Sequence, residues 1–210
     1  MIECILFDSD GTLVDSEPLS FVVLAEMLLP YGVDLDPDVL HLDYRGWKMG
    51  EAMEELNARH ELDLPDDFED RFRERQLRHF DAHLKPIPGV PELLKNLSLP
   101  MAVVTSGPMS KVRRALDITG LAAYFDDRLY SAWEVGVWKP DPGIYRHAAR
   151  DMGFPIKRCL AVEDSPIGLQ AAATCGAVPV FLNRYGDSVE YKNVIEIASM
   201  EEIPEVLERL

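Results

Sequence analysis

With 210 residues, 47% of them apolar, the chain can bury a substantial core, and its formal net charge of −16 argues against nucleic acid and anionic membrane surfaces as partners. No run of about 18 uncharged apolar residues is present, so a membrane-spanning helix is excluded. The N-terminus lacks the basic segment and cleavage site of a secretory leader, and Cys4, Cys159 and Cys175 are an odd, irregularly spaced set; a reducing cytoplasm is the expected compartment.

Cys4-Ile5-Leu6-Phe7 is a short apolar run, partly β-branched and aromatic, and predicts a buried strand. Asp8 and Asp10 follow at its carboxyl end, and Gly11 permits an immediate turn. From about Glu17 to Lys85 the pattern is helical, over Pro18 to Leu29, Gly50 to His60 and Phe68 to His83, with no convincing strand. The turns at Ser16-Glu17-Pro18 and Lys85-Pro86-Ile87-Pro88-Gly89 bracket this segment. Three more strands are expected at Met101 to Val104, Cys159 to Val162 and Val178 to Leu182. Asp141 with Pro142 reads as a helix start closed by Gly153, and Ser165 with Pro166 as another closed by Gly176. Strands alternating with helices predict an α/β fold: a Rossmann-like, doubly wound parallel sheet, residues 1–15 and 86–210, with a helical cap of residues 16–85 inserted after the first strand. No exposed apolar stripe is evident, so a monomer is expected.

Polar residues recur at the strand ends. Thr105-Ser106-Gly107 follows the second strand and Glu163-Asp164 the third, with Lys139 held by Pro140 and Pro142 before a helix. In a parallel sheet these carboxyl ends share one edge, where ligands bind. Asp-x-Asp-Gly also opens calcium loops, but the third early ligand and the Glu at the twelfth position of such a loop are missing. Ionised, Asp8, Asp10, Glu163 and Asp164 exceed the charge of Lys139, and a phosphomonoester would add about 1.5 to 2 further negative charges. Such a site calls for Mg²⁺ and a protonated carboxyl, the ingredients of phosphoryl transfer to a carboxylate. His79 and His83 have the spacing of a metal pair on a helix, but no third ligand is evident.

Asp8-Ser9-Asp10-Gly11-Thr12, Thr105, Lys139 and Glu163-Asp164 resemble the four ordered motifs of the haloacid dehalogenase superfamily. The likeness spans essentially the whole chain and is nearest the branch of β-phosphoglucomutases, phosphoglycolate phosphatases and 6-phosphogluconate phosphatases. It implies a Mg²⁺-dependent phosphatase of small phosphorylated metabolites. Asp8 would form an aspartyl-phosphate, and Asp10 would act as general acid and then base. Thr105, Ser106 and Gly107 would hold phosphate oxygens, and Lys139 would orient Asp8. Asp8, Asp164 and the Asp10 main-chain carbonyl would ligate Mg²⁺, with Glu163 ligating directly or through water. The second Asp argues against dehalogenation. The mutases carry a cap His where this chain has Ser20, which argues against a mutase; a non-catalytic binding protein would have lost a motif position. Arg45-Gly46-Trp47-Lys48 resembles the cap loop, so Arg45, Gly46 and Lys48 are expected to contact substrate and to suit a phosphorylated sugar acid or sugar phosphate.

Overall fold

The computed structural model describes residues 1–210. The chain folds as two compact units, Met1–Val14 with Pro86–Leu210, and Asp15–Lys85.

The first unit holds all six strands, β1 (Cys4–Phe7), β2 (Met101–Thr105), β3 (Leu129–Ser131), β4 (Cys159–Glu163), β5 (Val178–Leu182) and β6 (Ile195–Ile197). They form one sheet in the order β3-β2-β1-β4-β5-β6, and every pairing is parallel. β1 is therefore central, flanked by β2 and β4. The register pairs Phe7 with Val103 on one side and with Val162 on the other. Asp8 and Glu163, each the next residue along, thus lie at one level of the sheet edge.

β1 is apolar throughout, and β2 and β4 are apolar up to their last residues, Thr105 and Glu163, because both sheet faces are covered. Cys4, Leu6, Ala102, Val104 and Ala161 pack in one cluster with Ile144, Tyr145, Ala148, Ala171 and Ala172. The residues of alternate parity, Ile5, Phe7, Val103, Leu160 and Val162, are equally buried, and Phe7 meets Phe125 edge to face. The three cysteines are buried and free.

The second unit is helical: α1 (Ser16–Leu28), α2 (Pro37–Tyr44), α3 (Met49–Arg59) and α4 (Phe68–His83). α2, which the sequence pattern did not reveal, starts at Asp36, whose carboxylate accepts from the Asp38 amide, with Pro37 in the first helical position. Phe68, Phe72, Gln76 and Phe80 recur every fourth residue on α4 and are buried. Gln76 is tolerated there because its Nε2 donates to Ser20 Oγ at 2.7 Å.

The remaining helices belong to the first unit: α5 (Val90–Asn96), α6 (Met109–Ile118), α7 (Ala132–Val135), α8 (Gly143–Asp151), α9 (Pro166–Cys175) and α10 (Ile203–Arg209). α9 starts at Ser165, whose Oγ accepts from the Gly168 amide, and stops at Gly176, which has φ +101°. α8 begins one residue later than expected: Pro142 precedes the first turn, and Asp141 Oδ1 accepts from the Gly143 amide at 2.7 Å. No helix is long and apolar enough to cross a membrane.

Candidate active site

The Asp8 amide donates to Val162 O at 2.9 Å, so the last backbone bond of the β1–β4 pair places the Asp8 carboxylate at the strand end. Gly11, at φ +80°, turns the chain back, and its amide bonds Val14 O at 2.8 Å. A Cβ at Gly11 would overlap the Asp164 carboxylate, with 2.6 Å to Cγ. Glycine there serves both the turn and the close approach of β4's acids. Thr12 Oγ1 donates to Asp164 Oδ1 at 3.3 Å.

Lys139, 8% exposed, reaches this edge from the loop between α7 and α8. Its ammonium bonds Asp8 Oδ1 and lies 2.7 Å from Glu163 Oε1. Burial, opposed by Lys139 and reinforced by the Glu163 and Asp10 carboxylates, pushes the Asp8 pKa up to about 8. Burial alone would lower the Lys139 pKa, but Asp8 and Glu163 hold it above the ordinary lysine range. Asp8 thus tends to retain its proton chiefly because it is buried, with the neighbouring carboxylates adding to the effect.

Asp10 has a different environment. Its Oδ1 lies 2.8 Å from Lys111 Nζ, in the first turn of α6. Two acids two residues apart therefore face different cations, Asp8 with Lys139 and Asp10 with Lys111. Thr105 Oγ1 accepts from the Gly107 amide at 3.0 Å, and Gly107 O accepts from Ser131 Oγ at 2.6 Å. The Thr105-Ser106-Gly107 turn is thereby fixed, with the Thr105 hydroxyl proton left to donate. The Gly107 amide, expected to face phosphate, is directed to Thr105.

Asp8, Glu163 and Asp164 are buried and present carboxylate oxygens within 4.8 Å of one another. Such an all-oxygen, anionic donor set fits a hard divalent cation such as Mg²⁺. Lys139 serves Asp8 and Glu163 and Lys111 serves Asp10, so a divalent ion at the Asp8, Glu163 and Asp164 oxygens would add positive charge where carboxylates are crowded. The Asp10 carboxylate stands outside the cluster, turned to Lys111. His79 and His83 have ring centroids 4.6 Å apart but are not part of any group of three or more candidate ligands.

Arg45, Gly46 and Lys48 lie in the second unit. Gly46 has φ +79°, and its amide donates to Glu17 Oε1 at 3.1 Å, which shapes the loop. Arg45 is half-buried at the end of α2. Lys48 is exposed and pairs with Glu51 at 2.9 Å. Ser20, where the mutases carry His, donates to Ser16 O at 2.7 Å and accepts from Gln76. Its hydroxyl is committed to helix packing.

Lys111, Ser131 and Tyr145 were not singled out from the sequence. Lys111 had a legible signal, a cation in the first helical turn after a hydroxyl-rich strand end. Ser131 and Tyr145 had none, because each acts on a residue distant in the chain.

The chain matches the haloacid dehalogenase-like hydrolases over residues 2–176. It is 30% identical over 208 residues to the 6-phosphogluconate phosphatase of Escherichia coli, covering 98% of this chain and 94% of that protein. It is 31% identical over 184 residues to a phosphorylated carbohydrates phosphatase of Thermotoga maritima, covering 86% and 84% of the two. A solved HAD family hydrolase from Deinococcus radiodurans, with bound phosphate and sodium, superposes with TM-score 0.80 at 26% identity, covering 99% of this chain and 96% of that one. Sequence, fold and the ordered strand-end residues agree, and the chain belongs to the haloacid dehalogenase-like hydrolase family.

Proposed function

We propose that the protein hydrolyses small phosphorylated metabolites, sugar phosphates or phosphorylated sugar acids, through a phosphoenzyme on Asp8. The observation that carries this reading is the split between the two acids. Asp8 is held by Lys139 at the end of the central strand, and Asp10 is turned to Lys111. An Asp8 carboxylate oxygen attacks phosphorus as the bond to the leaving oxygen breaks, and Asp10 protonates that oxygen. In the second step Asp10 takes a proton from water, whose oxygen attacks phosphorus as the bond to Asp8 breaks, releasing phosphate.

Lys139 orients the Asp8 carboxylate and offsets its charge. The Thr105 hydroxyl and the Ser106 amide hold phosphate oxygens. A divalent cation bound by Asp8 and Asp164, with the Asp10 main-chain carbonyl and direct or water-mediated help from Glu163, supplies charge neutralisation for the transferring group. Arg45, Gly46 and Lys48 contact the remainder of the substrate, and the two basic side chains favour a second anionic group such as a carboxylate. The relative named for 6-phosphogluconate supports that substrate class. The buried, free cysteines suit a cytoplasmic setting, and the protein acts as a monomer on a soluble small molecule.

Phosphate release with Mg²⁺ from a panel of sugar phosphates and phosphorylated sugar acids tests the proposal, with chelated and Asp8→Asn controls. Metal-dependent release is expected, and Asp8→Asn should fall below about a thousandth of wild type, given what loss of a nucleophile costs. Greater residual activity, or no release from any compound, overturns it.

A further inference from the structure

Tyr145 projects from the first turn of α8 and is fully buried. Its hydroxyl donates to Glu163 Oε1, the same oxygen that lies 2.7 Å from Lys139 Nζ. Its ring lies beside that ammonium, with 5.3 Å from Nζ to the ring centroid. The other Glu163 oxygen is closed in by Gly168, where a Cβ would overlap the carboxylate.

We propose that Tyr145 is a positioning residue for the Asp8–Lys139 pair: its hydroxyl fixes Glu163 as a brace for the lysine, and its ring carries the ammonium on its face. This rests on the reading of Asp8 as nucleophile. Simple packing would be met by Phe at this position, since the ring alone fills the space between α8 and the sheet. The hydroxyl adds a second donor to a buried carboxylate oxygen, and buried carboxylates need such donors. Sharing Oε1 between Tyr145 and Lys139 weakens the pull of Glu163 on the ammonium and leaves it balanced between Glu163 and Asp8. The ring face adds a further stabilising contact to the cation. Without the hydroxyl, Oε1 turns wholly to Lys139, and the ammonium is drawn away from Asp8.

Tyr145→Phe keeps the ring and removes only the donor. Against the panel above, kcat should fall roughly tenfold to a hundredfold, the scale of one lost hydrogen bond to a charged group, with KM kept within about threefold. A second readout needs no turnover: the ¹⁵N-correlated NMR signal of the Lys139 ammonium, assigned by its loss in Lys139→Met. It should be a protected, ring-shifted signal in the wild type and should shift or broaden in Tyr145→Phe. A kcat within twofold of wild type, or an unchanged ammonium signal, overturns the role of Tyr145. Absence of turnover in the wild type would instead strike the phosphatase reading, and the ammonium signal would still decide the positioning role.

Discussion

Gly168→Ala sets two physical effects against each other. Gly168 lies in the first turn of α9, where replacing glycine with alanine gains about 1 kcal/mol of helix propensity. Its missing Cβ, however, is the space that the Glu163 carboxylate occupies: a Cβ would sit 2.6 Å from Oε1 and closer still to Oε2. A free side chain end would move aside, but Glu163 is held by Lys139 and Tyr145. Displacing it forfeits two hydrogen bonds to a charged group, roughly 1.5–3 kcal/mol each. Net destabilisation is therefore about 2–5 kcal/mol, a fall in Tm of roughly 4–20 °C for a chain of this length. Activity should fall with it, because Lys139 loses its brace. Thermal melts followed by circular dichroism, alongside phosphate release, provide the assay. Gly50→Ala is the control, since there a Cβ would meet only the half-exposed end of Glu69, at 3.1 Å. It should melt at or above the wild-type temperature. A Gly168→Ala protein as stable and active as wild type would refute the argument that packing overrides propensity at this position.

Stability of the metal-free protein should depend on pH through Asp8. Its pKa is pushed up to about 8 from an ordinary 3.8, so the folded protein holds a proton that the unfolded chain releases. This contribution is complete below about pH 4 and declines as pH rises toward 8. Chemical denaturation in EDTA between pH 5 and 8 should show the decline in wild type and its loss in Asp8→Asn; parallel curves would disprove it. Mg²⁺ binding should release protons over the same interval, measurable by titration calorimetry in buffers of different ionisation enthalpy. Away from the site, Arg146 donates to Thr174 O at 2.8 Å and to Cys175 O at 3.0 Å, capping the end of α9. Arg146→Met should cost about 1–2 kcal/mol of stability and leave kcat unchanged; a drop in kcat with an unchanged melt would contradict a purely capping role.

Much of the catalytic core was legible in the amino-acid order. The runs at Cys4–Phe7 and Val178–Leu182 coincide with β1 and β5, and Ser165, Pro166 and Gly176 bound α9 as their chemistry dictates. These signals are local: a buried strand needs only a short apolar run, and a helix end needs only its cap. The edge strands β3 and β6 have three residues each, too few for any periodicity, and they exist through pairing with β2 and β5. α2 was hidden because its apolar positions are few and Leu42 is exposed.

The sequence by itself determined that acids and a hydroxyl stand at strand ends and that a lysine precedes a helix start, since each is covalently tied to an apolar run or to that helix start. Only the tertiary structure decided which cation serves which acid. Lys139 is 131 residues from Asp8, and Lys111 is 101 from Asp10. It also decided that Tyr145 and Gly168 both confine the Glu163 carboxylate. Such pairings depend on strand order and on how closely helices pack against the sheet. Those are properties of the folded whole, to which no local run of residues responds.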